Sequence, residues 1–247
     1  MQATWIIWRR EIRAYLVAPA AYAIWFFFLV VLGYSFSIQA RLMAQGDAVA
    51  PMVRHIFSSL FFWMAMLIGT PLLTMRLLAE ERQAGTDEAL MTAPVPEYAI
   101  ILGKYLATLC FFGLLWLPTL LYGPILRYFD PNLPPAMATA LSGYLGAFLI
   151  GSAYLAIGLW ASTVSRTQLA AAMLCFTFLC SLFFTGLLPF ILRSGWWRDV
   201  AAYVSATRHM LDFSSGTIDS RPLVFYPTLT ALALFAAWLS LAARRGR

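Results

Sequence analysis

Six apolar stretches, each about as long as a bilayer's hydrocarbon core is thick, recur along this chain with short polar connections between them. A spanning helix needs about 20 consecutive apolar residues, and the sequence accommodates such runs at about 20–39, 55–75, 99–126, 138–163, 169–192 and 223–242. The expected fold class is an all-α membrane protein with six transmembrane helices, forming a single transmembrane domain over residues 1–247. Composition agrees, since 62% of residues are hydrophobic and 11% charged, whereas about a quarter of a soluble domain is charged. The formal charge of +6 does not indicate nucleic acid, because the arginines are scattered at the ends of apolar runs, where they act as membrane anchors. Cys110, Cys175 and Cys180 lie within apolar runs with no histidine beside them, which predicts buried thiols and neither disulfide nor metal site.

Residues 2–16 precede the first span. Trp5, Trp8, Ile12 and Leu16 recur at helical spacing while Arg9, Arg10 and Arg13 take the other side, which predicts a helix lying in the headgroup plane of the lipid bilayer. A cleaved signal peptide is the rival reading, weakened by an apolar run long enough to span and by the lack of a small-x-small cleavage site. Pro71 is expected to bend the second span near its end, and that helix is expected to continue into the polar stretch after it. Lys104 is expected to snorkel from the third span to the interface. In the fourth span, Gly143, Ala147 and Gly151 recur every four residues, a spacing that lets two helix backbones approach closely. The short link at 162–168 makes the fourth and fifth spans antiparallel neighbours, and 193–222 is expected to hold an amphipathic helix. With an even number of spans and both termini cytoplasmic, ten Lys/Arg fall inside and seven outside, in the positive-inside sense.

The most polar stretch is Arg76–Val95. Glu80, Glu81 and Arg82 extend it into water, and Gly85 stands where a helix end needs left-handed backbone. Thr86 as N-cap, with Asp87 and Glu88 against the positive end, predicts a short helix that Pro94 stops. Leu90 and Met91 form its small apolar face, suited to docking into a partner. The string Ala-Glu-Glu-Arg-x-x-Gly-Thr-x-Glu-x-Leu-x-x-x-Pro-Val resembles the loop after the second span in permease subunits of type-2 ABC exporters, most closely the gliding-motility and nitrous-oxide-reductase-maturation kind. The stretch Arg208–Arg221 resembles the same family before its last span, with Pro222 where an acid is common.

That resemblance implies a cytoplasmic coupling helix between spans 2 and 3 that inserts into a groove on a separate ATP-binding cassette subunit. It also implies a second permease protomer, as homo- or heterodimer, a bacterial inner-membrane location, and room for a periplasmic accessory protein. The coupling contacts would come from Glu80, Glu81, Arg82, Gly85, Thr86, Asp87, Glu88, Leu90 and Met91, with Glu81→Lys expected to uncouple a folded protein.

The chain has no G-x-x-x-x-G-K-[ST] phosphate loop, no H-E-x-x-H and no G-x-S-x-G, and His55 and His209 are its only imidazoles. No catalytic residue, cofactor or metal is expected. The central parts of the spans carry no Asp, Glu, Lys or Arg, which argues against an ion-coupled carrier. The expected function is a permease subunit driven by a partner's ATP cycle. Two alternatives are a relay that moves extracytoplasmic proteins without transport and, less favoured, a lipid-modifying intramembrane enzyme.

Overall fold

Helices carry nearly all of the residues that the computed structural model describes, namely 2–45, 52–85, 95–129, 137–188 and 195–245. In chain order they are α1 (Gln2–Val17), α2 (Pro19–Ala44), α3 (Met52–Ser58), α4 (Leu60–Thr74), α5 (Ala79–Gln83) and α6 (Glu97–Trp116). A 3-10 turn (Leu117–Leu121) joins α6 to α7 (Tyr122–Phe129), and α8 (Met137–Val164), α9 (Gln168–Thr185), α10 (Trp196–Val204), α11 (Ala206–Ser214) and α12 (Ser220–Arg245) complete the chain. Among the described residues, five helical segments are long and apolar enough to cross a membrane: 19–43, 97–128, 137–164, 168–185 and 220–244.

The run expected to form the second span, 55–75, is divided. Ser59 has extended backbone, with ψ 150°, and its Oγ accepts the amide of Phe62 at 3.2 Å, so it caps α4 in mid-run. A serine hydroxyl offers the backbone a partner outside the helical ladder, and Ser35 on α2 donates to the same oxygen at 3.1 Å. The remaining α4 has 15 residues, about 22 Å at the helical rise. Nor does α4 continue as a helix into the polar stretch: residues 75–78 form a turn, with Leu77 N bonded to Thr74 O at 3.2 Å. The third run keeps its length but changes pitch at Leu117–Leu121, where Pro118 has no amide to give. The fifth is described as a helix only to Thr185, short of the expected 192; 189–194 lie outside the described residues.

Helix α8 is the central post. It packs against α4, α6, α9, α11 and α12 of the same chain, and its small residues make that possible. Gly143 and Ala147 are buried, and a Cβ on Gly151 would enter the ring of Phe112 on α6. Gly158, two turns on, lies against Thr74 of α4. Away from water the association of helices rests on such close packing, here extended by an aromatic cluster in which the Trp116 ring meets Phe28 at 4.9 Å and Phe112 at 6.0 Å.

Short links set the remaining geometry. Thr167 caps α9 by accepting from Ala170 N at 3.3 Å, turning the chain back along α8. The segment expected to hold one amphipathic helix holds two, α10 and α11, separated at Ser205, whose Oγ accepts Arg208 N. Ser142 Oγ fastens α11 to α8 by donating to Phe213 O at 2.7 Å. Cys110, expected to be buried, is exposed on α6, while Cys175 is buried and all three thiols are free.

Candidate functional site

The polar stretch after α4 starts where helix α8 ends. The turn at 75–78 leaves the first amides of α5 without intrahelical acceptors, as every helix start does. Ser162 on α8 supplies the acceptor: its Oγ receives Leu78 N at 3.0 Å and Ala79 N at 3.1 Å. Both donors are buried, so the serine acts as an N-cap delivered from another helix. Arg82 returns the contact, its Nη1 donating to Ser165 O at 2.6 Å and Val164 O at 3.4 Å, and Arg244 Nη2 reaches Val164 O at 3.1 Å. Two arginines thus cover the carbonyls at the negative end of α8, where cations are favoured.

Beside this junction lies a buried ion cluster. Lys104 Nζ is 3.0 Å from Glu11 Oε1 and 2.9 Å from Glu81 Oε1, and its side chain is only 3% exposed. Arg10 Nη2 approaches Glu81 Oε1 at 3.4 Å. Lys104 on α6 and the carboxylates of Glu11 on α1 and Glu81 on α5 are thus buried together, with Arg10, 68% exposed, at the edge. Burying them is costly unless all are paired, so the position of α5 depends on α1 and α6 keeping theirs. Lys104 accordingly does not snorkel to the interface: its ammonium turns inward because two carboxylates meet it there.

Tyr15 ties the same three-helix region from α1, donating to Leu73 O at 2.9 Å and bonding Thr108 Oγ1 at 3.2 Å. Burial pushes the Tyr15 phenol above its usual range, which keeps the hydroxyl protonated as a donor. Along α1, Ile7 and the Thr4 carbonyl close on Gly103 of α6.

The sequence-expected coupling residues separate into three groups. Glu80 is held by Arg76, with bonds of 2.9 and 3.0 Å within one helical turn. Glu81 and Arg82 face inward, to Lys104 and to the end of α8. Glu81→Lys would set a third cation beside Lys104 and Arg10. Gly85, at φ 69°, has the left-handed backbone that lets the chain leave α5. Thr86, Asp87, Glu88, Leu90 and Met91 lie outside the described residues.

Glu11, Lys104, Ser162 and Arg244 were not singled out for this role by sequence. For two of them a signal exists: Lys104 is the only lysine in the chain, and Glu11 is its only acid before Asp47. Among the described residues, no three His, Cys, Asp or Glu gather as metal ligands. The arrangement is a junction of ion pairs and helix caps.

No curated protein matches this chain. The family model described as ABC-2 family transporter protein matches residues 14–211. That range runs from Ala14 on α1 to Leu211 on α11 and includes every residue of the junction except Arg10, Glu11 and Arg244. The chain belongs to the ABC-2 transporter family, as a multi-pass permease component of an ABC transporter.

Proposed function

We propose that the chain is the membrane half of an ATP-driven exporter, and that the polar segment 76–95 receives the stroke of a separate ATPase. The family is the membrane transport component and not itself an ATPase; it normally works with an ATP-binding subunit and often dimerises. The observation that carries the reading is the double attachment of α5, to Lys104 of α6 and to Ser162 of α8. Force applied beyond Gly85 reaches α1, α6 and α8 together, instead of being lost in a loose loop.

In this reading Thr86, Asp87, Glu88, Leu90 and Met91 contact the partner. Glu80, Glu81 and Arg82 anchor the root of the segment, and Gly85 sets the direction in which it leaves. ATP-driven closure of the partner tilts the attached spans and moves a pathway between two protomers from inward-open to outward-open. Helices α3 and α4 with the turn at 75–78 make the second of six crossings. Both termini and the junction then lie on the cytoplasmic side of a bacterial inner membrane, with α1 in the headgroup layer. The end-to-end gathering of Lys104, Arg82, Val164 and Arg244 supports this alternation, because it needs α4, α8 and α12 to run toward the end from which α6 departs. Within the family the chain is of the gliding-motility and nitrous-oxide-reductase-maturation kind, a reading that rests on the string from Ala79 to Val95.

The test is affinity purification of the tagged chain from native membranes in mild detergent, beside a Leu90→Asp variant that leaves the ion cluster intact. A Walker-motif ATPase that accompanies the wild type and is lost from the variant is the expected result. No ATPase with either protein, or equal recovery with both, overturns the coupling assignment.

A further inference from the structure

The turn that joins α8 to α9 gathers positive charge that its own helices cannot neutralise. No Asp or Glu occurs between Asp130 and Asp199 or after Asp219, so α8, α9 and α12 carry none. Two arginines reach the turn from elsewhere. Arg82 Nη1 donates to Val164 O at 3.4 Å and to Ser165 O at 2.6 Å, and Arg244 Nη2 donates to the same Val164 oxygen at 3.1 Å. Arg166, exposed, stands two residues past that shared carbonyl. A helix end carries about half a negative charge, which Arg82 alone offsets. Arg166 and Arg244 are then in excess, and among the described residues neither forms an ion pair. Nη1 of Arg244 has no acceptor.

The turn is also held in place. Ser165 N bonds to Ala161 O at 3.1 Å, and Thr167 Oγ1 accepts Ala170 N at 3.3 Å, so Arg166 sits between two fixed residues. A cation whose backbone is already ordered loses less freedom when a partner binds it. The position is specific as well. Arg82 is bonded to the residue just before Arg166, and it lies three residues before Gly85, where the chain leaves α5. Whatever engages the segment beyond Gly85 therefore stands next to this turn.

We infer, on the reading of 86–91 as the coupling segment, that the 164–167 turn is a second docking contact for the ATPase and that the surface it meets there is acidic. The two contacts divide the labour: Leu90 and Met91 anchor by apolar burial, while Arg166 and Arg244 attract and orient. An acidic face supplies the missing counter-charge, whereas a neutral or basic face covers the cations without pairing them. Anionic lipid headgroups carry the same charge, but the bond from Arg82 makes the turn continuous with the root of the segment that a protein partner engages. The contact also leads straight to α8, the central post, so the partner's movement reaches it without passing through α5.

Photo-crosslinking of the full chain in native membranes tests this, with p-benzoylphenylalanine replacing Leu90 in one protein and Val164, which is 41% exposed, in another. The expected result is one Walker-motif ATPase crosslinked from both positions, through different peptides. That ATPase is then the probe for affinity, measured on the chain in nanodiscs of phosphatidylcholine alone, where no anionic headgroup competes. Arg166→Glu is expected to weaken binding about fivefold at about 0.05 M salt and less than about twofold at about 0.5 M, and Arg166→Lys to leave it unchanged. Both substitutions are at an exposed side chain that forms no hydrogen bond among the described residues. ATPase adducts from Leu90 but none from Val164 overturn the second contact and leave the coupling segment standing. Adducts from Val164 only to lipid or to a second copy of the chain do the same. Equal affinity of Arg166→Glu and wild type at low salt overturns the acidic surface, and no ATPase adduct from either position overturns both readings.

Discussion

Glu11 and Glu81, seventy residues apart in sequence, share one ammonium: their Oε1 atoms lie 3.0 and 2.9 Å from Lys104 Nζ. Removing the lysine leaves two carboxylates that shared it, with Arg10 3.4 Å from Glu81. Breaking a buried pair in this way costs about 3–5 kcal/mol. Lys104→Met is therefore expected to lower the unfolding midpoint in detergent strongly, and the triple change Glu11→Gln, Glu81→Gln, Lys104→Met to recover most of the loss. A Lys104→Met protein as stable as wild type would show the cluster to be energetically idle.

Ser162 makes a second, independent attachment. Two buried amides, Leu78 N and Ala79 N, end on its single hydroxyl. An unsatisfied buried donor costs about 1–3 kcal/mol, so Ser162→Ala is expected to destabilise by that order. It should also speed hydrogen exchange selectively at residues 78 and 79. Unchanged exchange there would mean that water replaces the serine.

How much of this was legible follows from which forces act locally. Long apolar runs announce themselves, so Pro19–Met43, Met137–Val164 and Ser220–Arg244 fall close to where periodicity and length place them. A left-handed glycine is equally local, and Gly85 has φ 69° where the helix end demands it. The division of 55–75 depends on one hydroxyl, Ser59, competing with the helical ladder within an apolar run, and composition cannot weigh that competition. The inward turn of Lys104 is less accessible still, because its partners come from α1 and α5 and a position near a span's end invites snorkelling. Ser162 carries no sequence signal for its role, since its partners exist only where α4 breaks. The Arg76–Val95 stretch marked the region, but not that Glu81 points inward to Lys104.

Histidine 209 gives the fold a pH dependence away from the junction. It is 7% exposed on α11, with Nδ1 3.1 Å from Tyr226 Oη. Burial pushes it below the usual histidine range, against the opposing pull of Asp212 and Asp219, while Arg208 adds to the lowering. The unfolded chain therefore takes up a proton below about pH 6.5 that the folded chain resists. Stability is full above that pH and falls as pH drops toward the folded-state value, by up to about 1.4 kcal/mol per pH unit. His209→Gln is expected to flatten the pH dependence of the unfolding midpoint between pH 7.5 and 5 by comparison with wild type; equal slopes would place the dependence elsewhere.

Gly158 links packing to the junction. A Cβ at this position would stand 2.7 Å from Thr74 Cβ and 2.8 Å from its Cγ2, closer than carbon atoms approach. Thr74 cannot swing away, being fully buried with Oγ1 bonded to Thr70 O at 2.9 Å. Gly158→Ala must then separate α4 from α8, at about 1–3 kcal/mol for overpacking of a filled core. Ser162 lies one turn beyond Gly158, so the same separation draws its hydroxyl from Leu78 and Ala79. The expected outcome is a lowered unfolding midpoint together with faster exchange at residues 78 and 79. Thr74→Gly in the same chain relieves both effects, which gives a favourable coupling of about 0.5–3 kcal/mol in a double-mutant cycle. Additive losses would show that the two helices do not meet through this pair.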